Sequence, residues 1–180
     1  WRQPWEQIKS CKVEFDNFDL VEAQQKSGRG LLLLAPHLGN WEIMGPIMPR
    51  RVGAITFMFQ PTGMEEVDQL MIQGRSKDGV KLAPANRQGV SQILRALKAG
   101  EMVSILPDQV PEKGGGQMAP FFGQPAYTMT LVHKLIQRTQ CDVLMIFAKR
   151  TPEGFVLCVR QPDPAISDSD AAESLAALNR

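Results

Sequence analysis

Hydrophobic positions follow two rhythms along this chain, and the rhythms alternate. Gly30 to Ala35 reads GLLLLA, a short continuous apolar run of the kind a strand buried on both faces carries. Ala54 to Phe59 (AITFMF), Val80 to Ala83 and Met102 to Leu106 (MVSIL) are further strand candidates. Between them the period changes. Met64, Val67 and Met71 stand at helical spacing in the segment from Met64 to Gly74. Val90, Ile93, Leu94 and Leu97 follow the i, i+3, i+4, i+7 template, with Gly100 as a stop. Thr128 is expected to cap a helix carrying Leu131, Val132, Leu135 and Ile136. Asp142 to Ala148 and Gly154 to Arg160 read as a closing strand pair, antiparallel about the turn at Thr151 to Gly154. The segment from Asp168 is alanine-rich and helical. Strand alternating with helix predicts an α/β domain with a mainly parallel mixed sheet flanked by helices. No repeat, low-complexity tract or linker interrupts it, so residues 1–180 are expected to be a single domain.

In open α/β sheets, ligands bind beyond the carboxyl ends of the strands. Two of the predicted strands end in proline followed by polar groups: Pro36-His37-Leu38-Gly39-Asn40 after the leucines, and Pro107-Asp108-Gln109 after MVSIL. Pro36 cannot donate to a sheet ladder, so the strand should stop there and leave His37 on the outgoing turn. Gly39 eases that turn and Asn40 is a good N-cap, with Trp41 and Glu42 as the first helical residues. Pro46 should kink this helix or keep it short. A first-turn glutamate is favoured in its ionised form by the helix dipole and can reach back toward His37. A histidine so placed can take a proton from a hydroxyl, with the carboxylate orienting the ring. No G-x-S-x-G is present, so the nucleophile would be the substrate's own hydroxyl. Spacing alone leaves a plainer reading open, in which His37 fills a turn and Glu42 complements a dipole.

Bulk properties narrow the field further. Net charge is +1, from 20 basic and 19 acidic residues, which gives no general attraction to nucleic acid. The three cysteines, Cys11, Cys141 and Cys158, form no C-x-x-C pair or zinc cluster and are expected to be buried reduced thiols. No apolar run approaches the ~20 residues of a membrane span, and no signal peptide is visible. The chain begins at Trp1 rather than Met and ends inside a predicted helix, so it reads as a piece of a longer protein.

PHLGNWE resembles the H-x-x-x-x-D/E motif of the lysophospholipid acyltransferase superfamily. It is more closely similar to the HxGNWE block of the bacterial lipid A biosynthesis acyltransferases, the lauroyl and myristoyl transferases. A second block, LPDQVPEKGGGQMAPFFGQPAYTMT from Leu106 to Thr130, resembles that group's DQ pair, glycine-containing stretch and PFFG followed by a small residue and threonine. The resemblance runs from about Phe15 to Arg160 and implies a glycerolipid-acyltransferase-like fold. It implies an O-acyltransferase that moves a fatty acyl chain from acyl-acyl carrier protein to the 3-hydroxyl of an acyl chain on a lipid A precursor, at the cytoplasmic face of the bacterial inner membrane. Acyl carrier protein and a glycolipid acceptor would be the partners, with no metal, nucleotide cofactor or nucleic acid.

On the same resemblance, His37 would be the general base and Glu42 its orienting partner. The tetrahedral oxyanion would need donors, with backbone N–H groups around Leu38 to Asn40 or the Asn40 side chain as candidates. Arg75, in QGRSKDG, matches the arginine of the family's R-G-R-x-x-x-G segment and could hold a phosphate. Asp108 and Gln109 match the DQ pair, bracing or positioning more than reacting. Phe121-Phe122 would either line an acyl groove or serve as ordinary packing. Gly114-Gly115-Gly116 reads as a flexible loop near the donor entry, and His133 as a boundary residue. One departure stands out: Phe59-Gln60-Pro61 replaces the family's Tyr-Arg-Pro, so Gln60 puts a neutral amide where a phosphate-binding cation is usual. The family's N-terminal membrane anchor and C-terminal helix would lie outside this piece. Two other functions compete: a thioesterase or esterase using the same dyad with water, and a non-catalytic lipid-carrying module of the same fold.

Overall fold

The leucine run becomes the middle of a seven-stranded sheet. The computed structural model describes residues 11–76 and 79–180. The sheet contains β1 (Lys12–Asp16), β2 (Leu31–Leu34), β3 (Ile55–Phe59), β4 (Val80–Pro84), β5 (Met102–Ile105), β8 (Asp142–Thr151) and β9 (Gly154–Arg160), in the order β1-β9-β8-β2-β5-β3-β4. All neighbouring pairs are parallel except β8 with β9. A separate antiparallel hairpin joins β6 (Gly116–Phe121) to β7 (Gln124–Met129). The helices are α1 (Asp19–Ser27), α2 (Met44–Val52), α3 (Glu65–Arg75), α4 (Arg87–Lys98), α5 (Leu131–Thr139) and α6 (Ala171–Leu178).

Side chains alternate across a strand, and both faces of this sheet are buried. Leu31 and Leu33 face one core with Ile55, Phe57 and Met102, covered by α1 and α2 through Val21, Ile47 and Met48. Leu32 and Leu34 face the other with Val103 and Ile105, covered by α4 and α5 through Ile93, Leu97, Val132 and Leu135. All four leucines are at most 2% exposed, which is why the run shows no polar alternation. Each contributes about 1.5–3 kcal/mol of burial relative to exposure. Cys141 and Cys158 are buried and unbridged, and burial pushes the Cys141 thiol up.

The topology sets the site. From β2 the chain leaves through α2 on one face toward β3. From β5, its immediate neighbour, it leaves through the hairpin and α5 on the other face toward β8. The carboxyl ends of β2 and β5 are therefore the topological switch point, where such sheets bind ligands. The turn after β2 is also tied to β8: Gly39 bridges Ala148, and Asn40 N donates to Ala148 O at 2.9 Å. Gly39 has φ +71°, and a Cβ there would lie 2.0 Å from Ala148 O. Only glycine fits this close approach.

Several elements differ from expectation. β1, α1 and the β6–β7 hairpin were not anticipated. Thr128 lies in β7, and the following helix starts at Leu131 with Thr130 at its N-cap position, making no side-chain cap bond. Asn40 precedes a 3-10 turn, Trp41–Ile43, rather than an α-helix, and makes no side-chain cap bond either. Pro46 falls in the first turn of α2, where its missing N–H costs nothing, and the helix runs nine residues. The expected apolar stripe of α3 is not core: none of its residues is buried, and Leu70 is 60% exposed. Among the described residues, no helix is long and apolar enough to cross a membrane.

Two substitutions probe this arrangement by urea unfolding. Leu32→Ala should lower stability by about 2–5 kcal/mol at unchanged m-value, the usual cost of a cavity in a packed core; a loss under 1 kcal/mol would contradict its central place. Gly39→Ala should cost about 2–3 kcal/mol through strain and collision with Ala148, and a neutral result would mean that this turn does not lie against β8.

Candidate active site

His37 and Asp108 meet because β2 and β5 are parallel and in step. Leu34 pairs with Ile105, and each chain then runs three more residues through a proline to His37 and to Asp108. Ala35 N donates to Ile105 O at 2.8 Å, carrying the pairing past the strand ends. Asp108 accepts two hydrogen bonds from the opposite turn, one from His37 N at 2.7 Å and one at His37 Nδ1 at 2.9 Å. With a carboxylate as acceptor, the neutral imidazole bonds through Nδ1–H, the tautomer in which Nε2 keeps its lone pair. The Trp41 ring stands edge-on to the imidazole, with centroids 5.4 Å apart.

Glu42 is engaged elsewhere. Its carboxylate accepts from the Arg75 guanidinium at 2.5 Å, and that guanidinium also lies 5.4 Å over the Trp41 ring. The expected His37–Glu42 contact is therefore replaced by two pairs, His37 with Asp108 and Glu42 with Arg75, on either side of Trp41. The physical reason is the short 3-10 turn, which turns Glu42 toward α3, while the sheet register delivers Asp108 to the histidine. The segment holding Arg75 continues into residues 77–78, which lie outside the described residues.

His37, together with both members of the Glu42–Arg75 pair, borders a cavity of about 660 Å³ at the carboxyl edge of the sheet, and Gln60 and Gln109 also line it. The rest of the wall is mostly apolar and includes Trp41, Phe57, Met71, Leu82, Ile105 and Leu131. Asp108 and Asn40 are not part of this lining. Two expected oxyanion donors are already in use, since Leu38 N bonds Pro36 O and Asn40 N bonds Ala148 O.

The glycine triplet is pinned rather than loose. Gly114 N and Gly116 N both donate to the Tyr127 hydroxyl, at 3.0 and 3.1 Å, and Gly115 lines the cavity. Phe121 and Phe122 take no part in the cavity; they stack edge-to-face at the hairpin tip, where Phe122 is 91% exposed. His133 is half-buried on α5, its Nδ1 buried without a partner. The Asp108 contact had a signal in the sequence: LLLLAPH and MVSILPD place proline at the same distance from the strand, which puts His37 and Asp108 level in a parallel pair.

Comparison with known proteins identifies a family. A family model described as bacterial lipid A biosynthesis acyltransferase matches residues 3–180. A lipid A biosynthesis acyltransferase of Haemophilus influenzae is 26% identical over 169 residues, 93% of this chain and 52% of that protein. The lipid A biosynthesis palmitoleoyltransferase of Escherichia coli is 25% identical over 122 residues, 68% of this chain and 39% of that protein. A phosphatidylinositol mannoside acyltransferase of Mycobacterium tuberculosis is 26% identical over 110 residues, 59% of this chain and 34% of that protein. This chain spans about half the length, or less, of these curated relatives. With the family model covering nearly its whole length, the chain belongs to the bacterial lipid A biosynthesis acyltransferase family.

Proposed function

We propose that this chain carries the reaction centre of an O-acyltransferase that moves a fatty acyl group from acyl-acyl carrier protein to a hydroxyl of a lipid A-type glycolipid. The observation that carries the reading is the His37–Asp108 pair on the rim of a largely apolar cavity, in a member of this family. His37 Nε2 takes the proton from the acceptor hydroxyl as its oxygen attacks the thioester carbonyl. The tetrahedral intermediate then collapses with cleavage of the C–S bond. The proton held by His37 passes to the departing thiolate, so an ester and a free thiol leave and the ring returns to its starting state. Asp108 holds the ring in the Nδ1–H tautomer and stabilises the imidazolium that forms.

Glu42 and Arg75 act on binding in this reading. Arg75 has further N–H donors beyond the one on Glu42, and they are suited to a phosphate of the glycolipid or of the carrier's prosthetic arm. Glu42 holds that guanidinium on the rim. Gln60 and Gln109 supply neutral hydrogen bonds to the same opening. On this reading the acceptor is a membrane lipid, and the reaction runs at the cytoplasmic face of the bacterial inner membrane. A second reading keeps the chemistry and changes the acceptor to another phosphorylated glycolipid. It is favoured by the phosphatidylinositol mannoside acyltransferase among the relatives and by the amide of Gln60 where a cation was expected.

The test is transfer from acyl-acyl carrier protein by the full-length protein, with and without a lipid A precursor. His37→Ala should reduce turnover by ~100-fold or more. Asp108→Asn should reduce kcat strongly, whereas Glu42→Gln should act mainly on KM for the phosphorylated substrate. Release of free fatty acid at full rate without acceptor would identify a hydrolase instead. Activity of His37→Ala within a few-fold of the parent would reject the assignment.

A further inference from the structure

The cavity draws its lining from both faces of the sheet. β3 stays paired with β4 through Phe59 and Pro84, but its pairing with β5 stops at Phe57 and Ser104. β5 meanwhile continues with β2 through Ile105. β3 and β5 are therefore unpaired beyond Phe57 and Ser104, and the residues that follow, Met58, Phe59, Ile105 and Leu106, line the cavity. The lining records both faces. Phe57, Val80 and Leu82 belong with the core beneath α1 and α2, and with Met71 of α3 they form one arm. Met58, Ile105, Met129 and Leu131 belong with the core beneath α4 and α5 and form the other. Phe57 and Met58 are consecutive, so they point to opposite faces, yet both border the same space. The first arm reaches from Phe59 down to the level of Val80, paired with Ile55, a depth of roughly 13 Å at about 3.3 Å per residue. His37 and Gln109 also border the cavity.

We propose that the two arms hold two hydrocarbon chains at once, one on each face of the sheet, with the reactive histidine between them. The inference rests on the acyl-transfer reading and extends it: one arm takes the chain being transferred and the other a hydrocarbon chain belonging to the acceptor. Apolar walls on both sides have no use for a bare hydroxyl compound, and a transfer between two amphiphiles needs two separate dry channels that converge on one base.

Dodecanoate, kept below its micelle concentration, is the probe, and isothermal titration calorimetry of the full-length protein is the readout. The parent should bind two dodecanoates per chain. Leu82→Trp should remove one, Leu131→Trp the other, and the double variant both. Should either tryptophan impair folding, Leu82→Phe and Leu131→Phe should each weaken one of the two sites by about tenfold or more and leave the second unchanged. One dodecanoate in the parent, no binding at all, or loss of the same site by both variants would overturn the proposal. Catalysis separates the two ideas. Two bound chains without transfer would leave the arms standing and remove the acyl-transfer reading, and transfer with one bound chain would do the reverse.

Discussion

The whole site depends on the parallel pairing of β2 with β5. Backbone hydrogen bonds hold Leu34 level with Ile105, and the three residues that follow each of them run out side by side. The imidazole and the carboxylate come from positions 71 apart in sequence, and nothing local brings them together. The leucine core beneath them makes this register costly to change. A slip of one residue would move Leu32 and Leu34 to the wrong face and separate His37 from Asp108 in the same step. Packing and chemistry therefore share one constraint.

Around that pairing the polar groups divide the labour by distance from the sheet. Asp108 is fixed by two hydrogen bonds to one residue, His37, through its backbone and its ring. Glu42 and Arg75 are fixed to each other across the gap between the 3-10 turn and α3, with Trp41 between this ion pair and the His37–Asp108 hydrogen bond. The aromatic ring touches both and keeps them apart, so the carboxylate of Glu42 neutralises a cation instead of competing for the imidazole.

Much of the sheet was legible because its buried strands are continuous apolar runs bounded by glycine and proline, as with GLLLLA and MVSIL. β1 was not, since KVEFD mixes charges with half-buried residues at an edge. The β6–β7 hairpin escaped for a related reason: its exposed strands carry prolines and polar residues, and its support comes from α6 and from the Tyr127 hydroxyl rather than from an apolar pattern. In the site, the histidine's position at a strand end followed from Pro36 alone. The partner assigned to it did not. The family resemblance, with short-range spacing that allowed it, pointed to Glu42, five residues on, whereas the hydrogen bond goes to Asp108, whose nearness is set by strand order, and strand order is a property of packing. Both prolines were on view, but their equivalence has meaning only once β2 and β5 are known to be neighbours.

The contrast between the two walls of the site has a mechanical consequence. The wall bearing His37 is sewn to β5 and to β8, with a glycine backbone wedged against Ala148 where no side chain fits. The wall formed by α3 anchors no side chain in either core. Local opening begins where few apolar contacts must break. Displacing α3 therefore breaks fewer buried contacts than displacing the His37 turn: the cavity is built like a vice with one fixed jaw and one sprung jaw.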